Sequence, residues 1–171
     1  MSSPAGGRGE APATAGRRDS VPALSVALRP ARVDDLAFLE RLHAAAMRPH
    51  VEATFGPWNA EEQSRRFRAS TDPTNHEIVS LDGAPVGCQW VRAHADSLEL
   101  VRLYLLPAVQ RRGIGGDLVA RLCARADRAG LPLRLRVLKV NPAQRLYARH
   151  GFRITGETET HLAMERPTPR P

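Results

Sequence analysis

Pro107-Ala108-Val109-Gln110-Arg111-Arg112-Gly113-Ile114-Gly115-Gly116 places two arginines and three glycines where an extended segment gives way to a helical one. Residues of this kind build an anion site. Glycine lets the backbone turn tightly and approach a ligand, and successive N–H groups at a helix start favour phosphate. The lysine–hydroxyl pair of a P-loop is missing, and the glycines at 113, 115 and 116 do not fit the dinucleotide spacing G-x-G-x-x-G. On the motif alone, a Gly-rich turn carrying solvated arginines is an open alternative. Upstream, Glu99 shares an expected strand face with Val101, Leu103 and Leu105. Apolar surroundings favour the protonated form of a carboxylic acid, so Glu99 is a candidate base, against the alternative of an exposed residue at a strand start. His43, His76 and His94 are rival bases with no motif behind them, and His150 reads as structural.

The surrounding elements follow from periodicity. Leu24 to Leu28 reads as a strand. Asp34 and Asp35 suit a helix N-terminus, Leu36, Leu39, Leu42 and Ala46 follow at helical spacing, and Pro49 is expected to stop that helix. Phe55-Gly56-Pro57-Trp58 reads as a loop and Glu61 to Ala69 as a second helix. His76 to Leu81, Pro85 to Ala93 and Leu98 to Leu105 form a meander, with turns at Asp82-Gly83 and Asp96-Ser97. Ile114, Leu118, Leu122 and Ala126, with Gly115, Val119 and Cys123 beside them, give a long helix from Gly113 to about Ala129 with a wide apolar stripe. Gly130 and Pro132 end it. Leu133, Leu135 and Val137 alternate with Arg134 and Arg136 as a strand. Asn141 caps a short helix with Pro142 at its first position, Gly151 closes it, and Phe152 to Thr158 and Thr160 to Glu165 are the last strands. The fold class is α/β (α+β): a mixed, mostly antiparallel sheet of about seven strands with about four helices on its two faces.

The 171 residues suffice for one domain. Residues 1–23, rich in Gly, Ala, Pro and Arg, read as a disordered basic tail, 24–166 as the folded domain and 167–171 as a flexible Pro-rich end. No apolar run suggests a membrane span or signal peptide, so a cytoplasmic protein is expected. Cys88 and Cys123 stand outside any metal-ligand or redox motif and read as core, so no metal is expected. Lys+Arg outnumber Asp+Glu by 25 to 18, a formal net charge of +7, and Lys139 is the single lysine. That balance suits an anionic partner. Scattered arginines and 5% aromatics make a single-stranded nucleic-acid platform an unfavoured reading.

The sequence resembles the GNAT acetyltransferase superfamily over about residues 25–166. Gln110, Gly113 and Gly115 match the family's Gln/Arg-x-x-Gly-x-Gly/Ala motif. Asn141-Pro142-Ala143-Gln144-Arg145-Leu146-Tyr147-Ala148-Arg149-His150-Gly151-Phe152 is similar to its second motif, at the proper distance. Leu28 to Leu36 looks like its opening strand and helix. The resemblance implies an N-acetyltransferase that takes acetyl-CoA as co-substrate and passes the acetyl group directly to an amine. It implies that main chain from Gln110 through Arg111, Arg112, Gly113, Ile114, Gly115 and Gly116 holds the pyrophosphate. It implies that Leu103, Tyr104 and Leu105 pair with the pantetheine, and that Asn141, Ala143 and Tyr147 meet the cofactor from the far side. Tyr147 falls at the position that commonly serves as general acid, and Glu99 where some members carry a base. Phe55, Trp58 and Trp90 could line an acceptor pocket, with simple anchoring of the loop as the alternative. A small-molecule or peptide amine is the expected acceptor, a homodimer is left open, and no membrane partner is expected. A non-catalytic CoA-binding module is the rival reading, and a nucleic-acid binder the more distant one.

Overall fold

The computed structural model describes residues 25–168. Expectations for the N-terminal tail and the last three residues lie outside these. Seven strands, β1 (Val26–Pro30), β2 (Glu77–Leu81), β3 (Ala84–Ala93), β4 (Leu98–Leu105), β5 (Leu133–Leu138), β6 (Arg153–Glu157) and β7 (His161–Arg166), form one sheet in the order β1-β2-β3-β4-β5-β7-β6. Four α-helices join them: α1 (Leu36–Phe55), α2 (Ala60–Ser70), α3 (Ile114–Ala129) and α4 (Ala143–Arg149). All strand pairs are antiparallel except β4 with β5.

The helices divide between the faces because their apolar stripes do. Leu39 and Leu42 of α1 and Phe67 of α2 pack with Ile78 and Cys88 on one face. Val119, Leu122, Cys123 and Ala126 of α3, with Tyr147 of α4, pack with Leu98, Leu100, Leu135, Val137 and Met164 on the other. Each large side chain sealed in this way contributes about 1.5–3 kcal/mol of transfer free energy. Asp82 (φ 50°) and Gly83 (φ 84°) take up left-handed conformations in the β2–β3 hairpin, as an Asp-Gly turn of the twist-matching type requires.

Pro49 does not stop α1. It lies inside the helix, which continues to Phe55. Pro49 and Ala45, whose carbonyl loses its partner, are both exposed, so water can replace the missing bond. α4 begins at Ala143 with Pro142 as its flanking residue, and the Asn141 side chain still accepts from the Ala143 N–H at 2.9 Å.

Two irregularities in β4 shape the centre of the molecule. First, β4 pairs with β5 only from Leu98 to Leu100, opposite Leu133 to Leu135; beyond that the two parallel strands are unpaired. Second, Trp90 faces Arg102 across the β3–β4 ladder while Val91 faces Leu100, so Val101 is an extra residue, a β-bulge. The bulge shifts the alternation by one. Leu98, Leu100, Leu103 and Leu105 all reach the α3 side, whereas Glu99 and Arg102 stand opposite Arg92 and Trp90. The expected face shared by Glu99, Leu103 and Leu105 is therefore corrected. An even spacing gives one face only in a regular strand, and this strand is not regular.

Candidate active site

The turn after β4 opens into α3 through two left-handed residues, Arg111 (φ 59°) and Gly113 (φ 86°, ψ −17°). Gln110 donates from Nε2 to the Leu105 carbonyl at 2.8 Å, fastening the turn to the strand end. The side chain of the motif glutamine thus acts on the loop itself. The helix ladder begins when the Asp117 N–H reaches the Gly113 carbonyl at 3.0 Å. Before it, the six successive N–H groups from Arg111 to Gly116 have no hydrogen-bond partner among the described residues. Such a row at a helix start, beside two exposed guanidinium side chains, fits a diphosphate.

The glycines have separate tasks. Gly113 supplies the left-handed corner, and a Cβ there would meet nothing within 4 Å. Gly115 and Gly116 face α4 and the residue after it: Cβ atoms on them would stand at ordinary contact distance, 3.5 Å from Leu146 Cδ2 and 3.9 Å from His150 Nε2, respectively, so neither position is closed to a small side chain. Ile114 points its side chain into the core, so its contribution to an anion site is main chain. Leu103 and Leu105 likewise spend their side chains on the α3 side, leaving backbone at the unpaired end of β4.

Tyr147 of α4 is buried at 8% exposure and packs tilted against Phe152, with ring centroids 5.7 Å apart. Its hydroxyl has no protein partner among the described residues, yet it is not sealed from solvent. Burial pushes the phenol up to about 12, and neighbouring Tyr104 adds to the effect. The α4 phenol and the open end of β4 therefore share one environment. A phenol held in its neutral form is a proton donor throughout the physiological range.

Glu99 faces the other way. Its carboxylate accepts from Arg92 Nη1 at 3.2 Å and pairs with His94 Nε2 at 2.9 Å. Its neighbours are a guanidinium and an imidazole, not the apolar side chains expected from a regular strand. It lines a cleft of about 300 Å³ together with Arg134, its register partner on β5, and Arg136, Thr155 and Ala163. Further along the same face, α1 and α2 bring His43 against Phe67 (ring centroids 4.9 Å), Tyr104 (5.7 Å) and Trp58 (5.9 Å). His43 Nδ1 is buried without a partner, and burial, then Arg102, lowers the imidazole to about 4. Trp58 thus belongs to the α1–α2 side, while the Phe55 side chain is 62% exposed. Cys88 is sealed and its thiol is pushed up to about 12 by burial; burial raises Cys123 as well. Neither is placed as a nucleophile.

Arg102 escaped the sequence reading. Its Nη1 donates to Thr71 Oγ1 at 3.0 Å and lies 3.2 Å from His76 Nε2. A clue was present. Glu99 and Arg102, both polar on a strand otherwise rich in leucine, are three residues apart, and odd spacing on one face is the mark of a bulge.

Known proteins share this fold. An acetyltransferase (GNAT) domain model matches residues 73–154, from the run-in to β2 through α4 to β6. The PaiA N-acetyltransferase of Thermoplasma acidophilum, solved in complex with coenzyme A, superposes with a TM-score of 0.68 at 20% identity, over 84% of this chain and 99% of that one. An acetyltransferase from Thermus thermophilus gives 0.64 at 25% identity, over 84% and 97%. The ribosomal-protein-S18-alanine N-acetyltransferase of Escherichia coli gives 0.62 at 18%, over 86% and 96%. No curated protein matches the chain by sequence. Among the described residues, no helix is long and apolar enough to cross a membrane. The domain match runs through the Gly-rich turn and the fold is shared over most of the chain, so residues 73–154 carry an acetyltransferase (GNAT) domain and the chain as a whole has the fold of these acetyltransferases.

Proposed function

We propose that the protein moves the acetyl group of acetyl-CoA directly to a primary amine. The observation that carries this reading is the row of unpartnered N–H groups from Arg111 to Gly116, set beside the unpaired end of β4. When bound, acetyl-CoA supplies a thioester carbonyl open to attack by an uncharged amine. The main chain of Arg111 to Gly116 holds its diphosphate, with Arg111 and Arg112 adding charge. Leu103 and Tyr104 offer the backbone of the unpaired strand, and the Leu105 carbonyl is already engaged by Gln110. Asn141 and Ala143 approach from the start of α4, the helix whose Leu146 and His150 lie against Gly115 and Gly116.

In the transfer, the amine nitrogen bonds to the acetyl carbon, the carbon–sulfur bond breaks, and the amine gives up a proton. Glu99, on the open cleft, receives that proton. Tyr147 holds its own at Oη as the donor for the departing sulfur. Alkylamines are mostly protonated at neutral pH, so an anionic base also serves to attract the cationic form. The absence of an accessible thiol among Cys88 and Cys123 supports direct transfer without an acyl-enzyme.

Calorimetry with acetyl-CoA on the full chain tests the reading. Stoichiometric binding in the micromolar range, weakened by Gly113→Val, is the expected result. No heat of binding at millimolar acetyl-CoA would end it.

A further inference from the structure

Arg102 is a half-buried cation without a counter-charge. Among the described residues no carboxylate lies within ion-pair distance of it. Its fixed partners are neutral. Thr71 offers a hydroxyl, and His76, 2% exposed, offers an imidazole nitrogen. The tautomer follows from the other side of that ring. Nδ1 lies 3.1 Å from the Asp72 carbonyl, which can only accept, so Nδ1 carries the hydrogen and Nε2 receives from Arg102. The guanidinium carbon stands over the Phe67 ring at 5.2 Å and the Trp90 ring at 5.5 Å. Two rings and two neutral acceptors hold the side chain in one orientation. Its charge is felt by His43, His76, Cys88 and Tyr104, none of which can neutralise it.

Holding an arginine this way and leaving it unpaired is costly unless something else completes it. The two Nη1 hydrogens are used by Thr71 and His76. Nε and Nη2 have no protein partner, and neither is sealed from solvent. That edge of the guanidinium is the fork that matches a carboxylate with two parallel hydrogen bonds.

The geometry points to Arg102 as the anchor for a carboxylate on the amine acceptor, making the acceptor a small amino-acid-like zwitterion. This deepens the acetyl-transfer reading and rests on it. Glu99 lies on the same strand face, two register steps away against β3, which is ~7 Å at the usual rise per residue. An anchored carboxylate at Arg102 and a cationic amine drawn to Glu99 thus use opposite charges already in place. Reversed, each end would meet its like charge. His43, kept neutral beside Tyr104 and Phe67, adds no competing cation.

The probes are N-acetylglycine and N-acetylglycinamide, which share the acetylated nitrogen and differ only in the carboxylate. Tryptophan fluorescence reads their binding to the full chain, because Trp90 lies over the proposed anchor. The expected result is a saturable change with N-acetylglycine and at least tenfold weaker binding of the amide. Arg102→Gln should abolish the difference and Arg102→Lys should restore part of it, with circular dichroism confirming that both fold. Equal binding of the two probes to the wild-type chain, or no binding of either, overturns the proposal without reference to any variant. Calorimetry with acetyl-CoA is run in parallel. Cofactor binding without carboxylate preference sinks the anchor alone, and carboxylate preference without cofactor binding sinks the acetyl-transfer reading alone.

Discussion

Tyr147→Phe removes one oxygen from the centre of the proposed chemistry and leaves the ring in place against Phe152. The size of its effect follows from the phenol's environment. Burial pushes Tyr147 up to about 12, while an ordinary thiol titrates near 8.5. Full proton transfer to a thiolate would therefore run uphill by about 5 kcal/mol, so Tyr147 acts chiefly by a hydrogen bond to the developing charge. A bond of that type is worth about 1.5–3 kcal/mol, which predicts a fall in kcat of roughly 10- to 150-fold. The hydroxyl has no protein partner among the described residues, so the variant should keep its Tm or gain slightly. A phenol whose folded pKa lies above its unfolded value adds stability that is complete below about pH 10 and fades as the pH rises through that range towards 12. Tyr147→Phe should lose that alkaline decline. The assay is thiol release from acetyl-CoA with an amine, alongside calorimetry and a thermal melt. Unchanged kcat, or a loss of acetyl-CoA affinity that matches the loss of turnover, would refute the donor role.

Gly87→Ala should destabilise the fold by about 1–3 kcal/mol in a denaturant titration, because its Cβ would fall 2.5 Å from the Tyr104 carbonyl oxygen, a backbone atom that cannot swing aside. Glu99→Gln should lose turnover at neutral pH and recover it when the amine deprotonates on its own at alkaline pH; an unaltered pH profile removes the base. Asp35, bonded by Arg29 at 2.8 Å and by the Arg32 N–H, is held down to about 2. It adds stability that is present above its unfolded value and fades as the pH falls towards 2. With Arg29 exposed, the contribution is about 1 kcal/mol after solvent screening, and Asp35→Asn should flatten that acid limb in pH-dependent melts.

Much of this architecture could be read from local chemistry. The α3 stripe and the Asp82-Gly83 turn are written in side chains a few residues apart, and periodicity finds them. The Gly-rich turn was equally plain, since Gly113 must adopt a left-handed corner wherever the strand goes. What periodicity could not find depends on pairing. The Val101 bulge exists only against β3, and assuming regular alternation put Glu99 with the wrong neighbours. Pro49 misled for a related reason, because whether a proline ends a helix depends on whether its orphaned carbonyl can reach water. The Arg102 cluster was invisible because Thr71, His76, Phe67 and Trp90 come from separate parts of the chain. No spacing rule links them.

The additional residue at Val101 works like a half-turn in a ribbon. On one side of the twist the strand shows carboxylate and guanidinium to the helices that come first in the chain; on the reverse it lays an unbroken hydrocarbon strip under the later ones. Were Val101 instead to take a regular place in the ladder, the two surfaces would be exchanged for everything downstream, driving an arginine and a tyrosine into oil and lifting two leucines into the chamber. Both surfaces depend on this residue staying out of the pairing, more than on which side chain it carries.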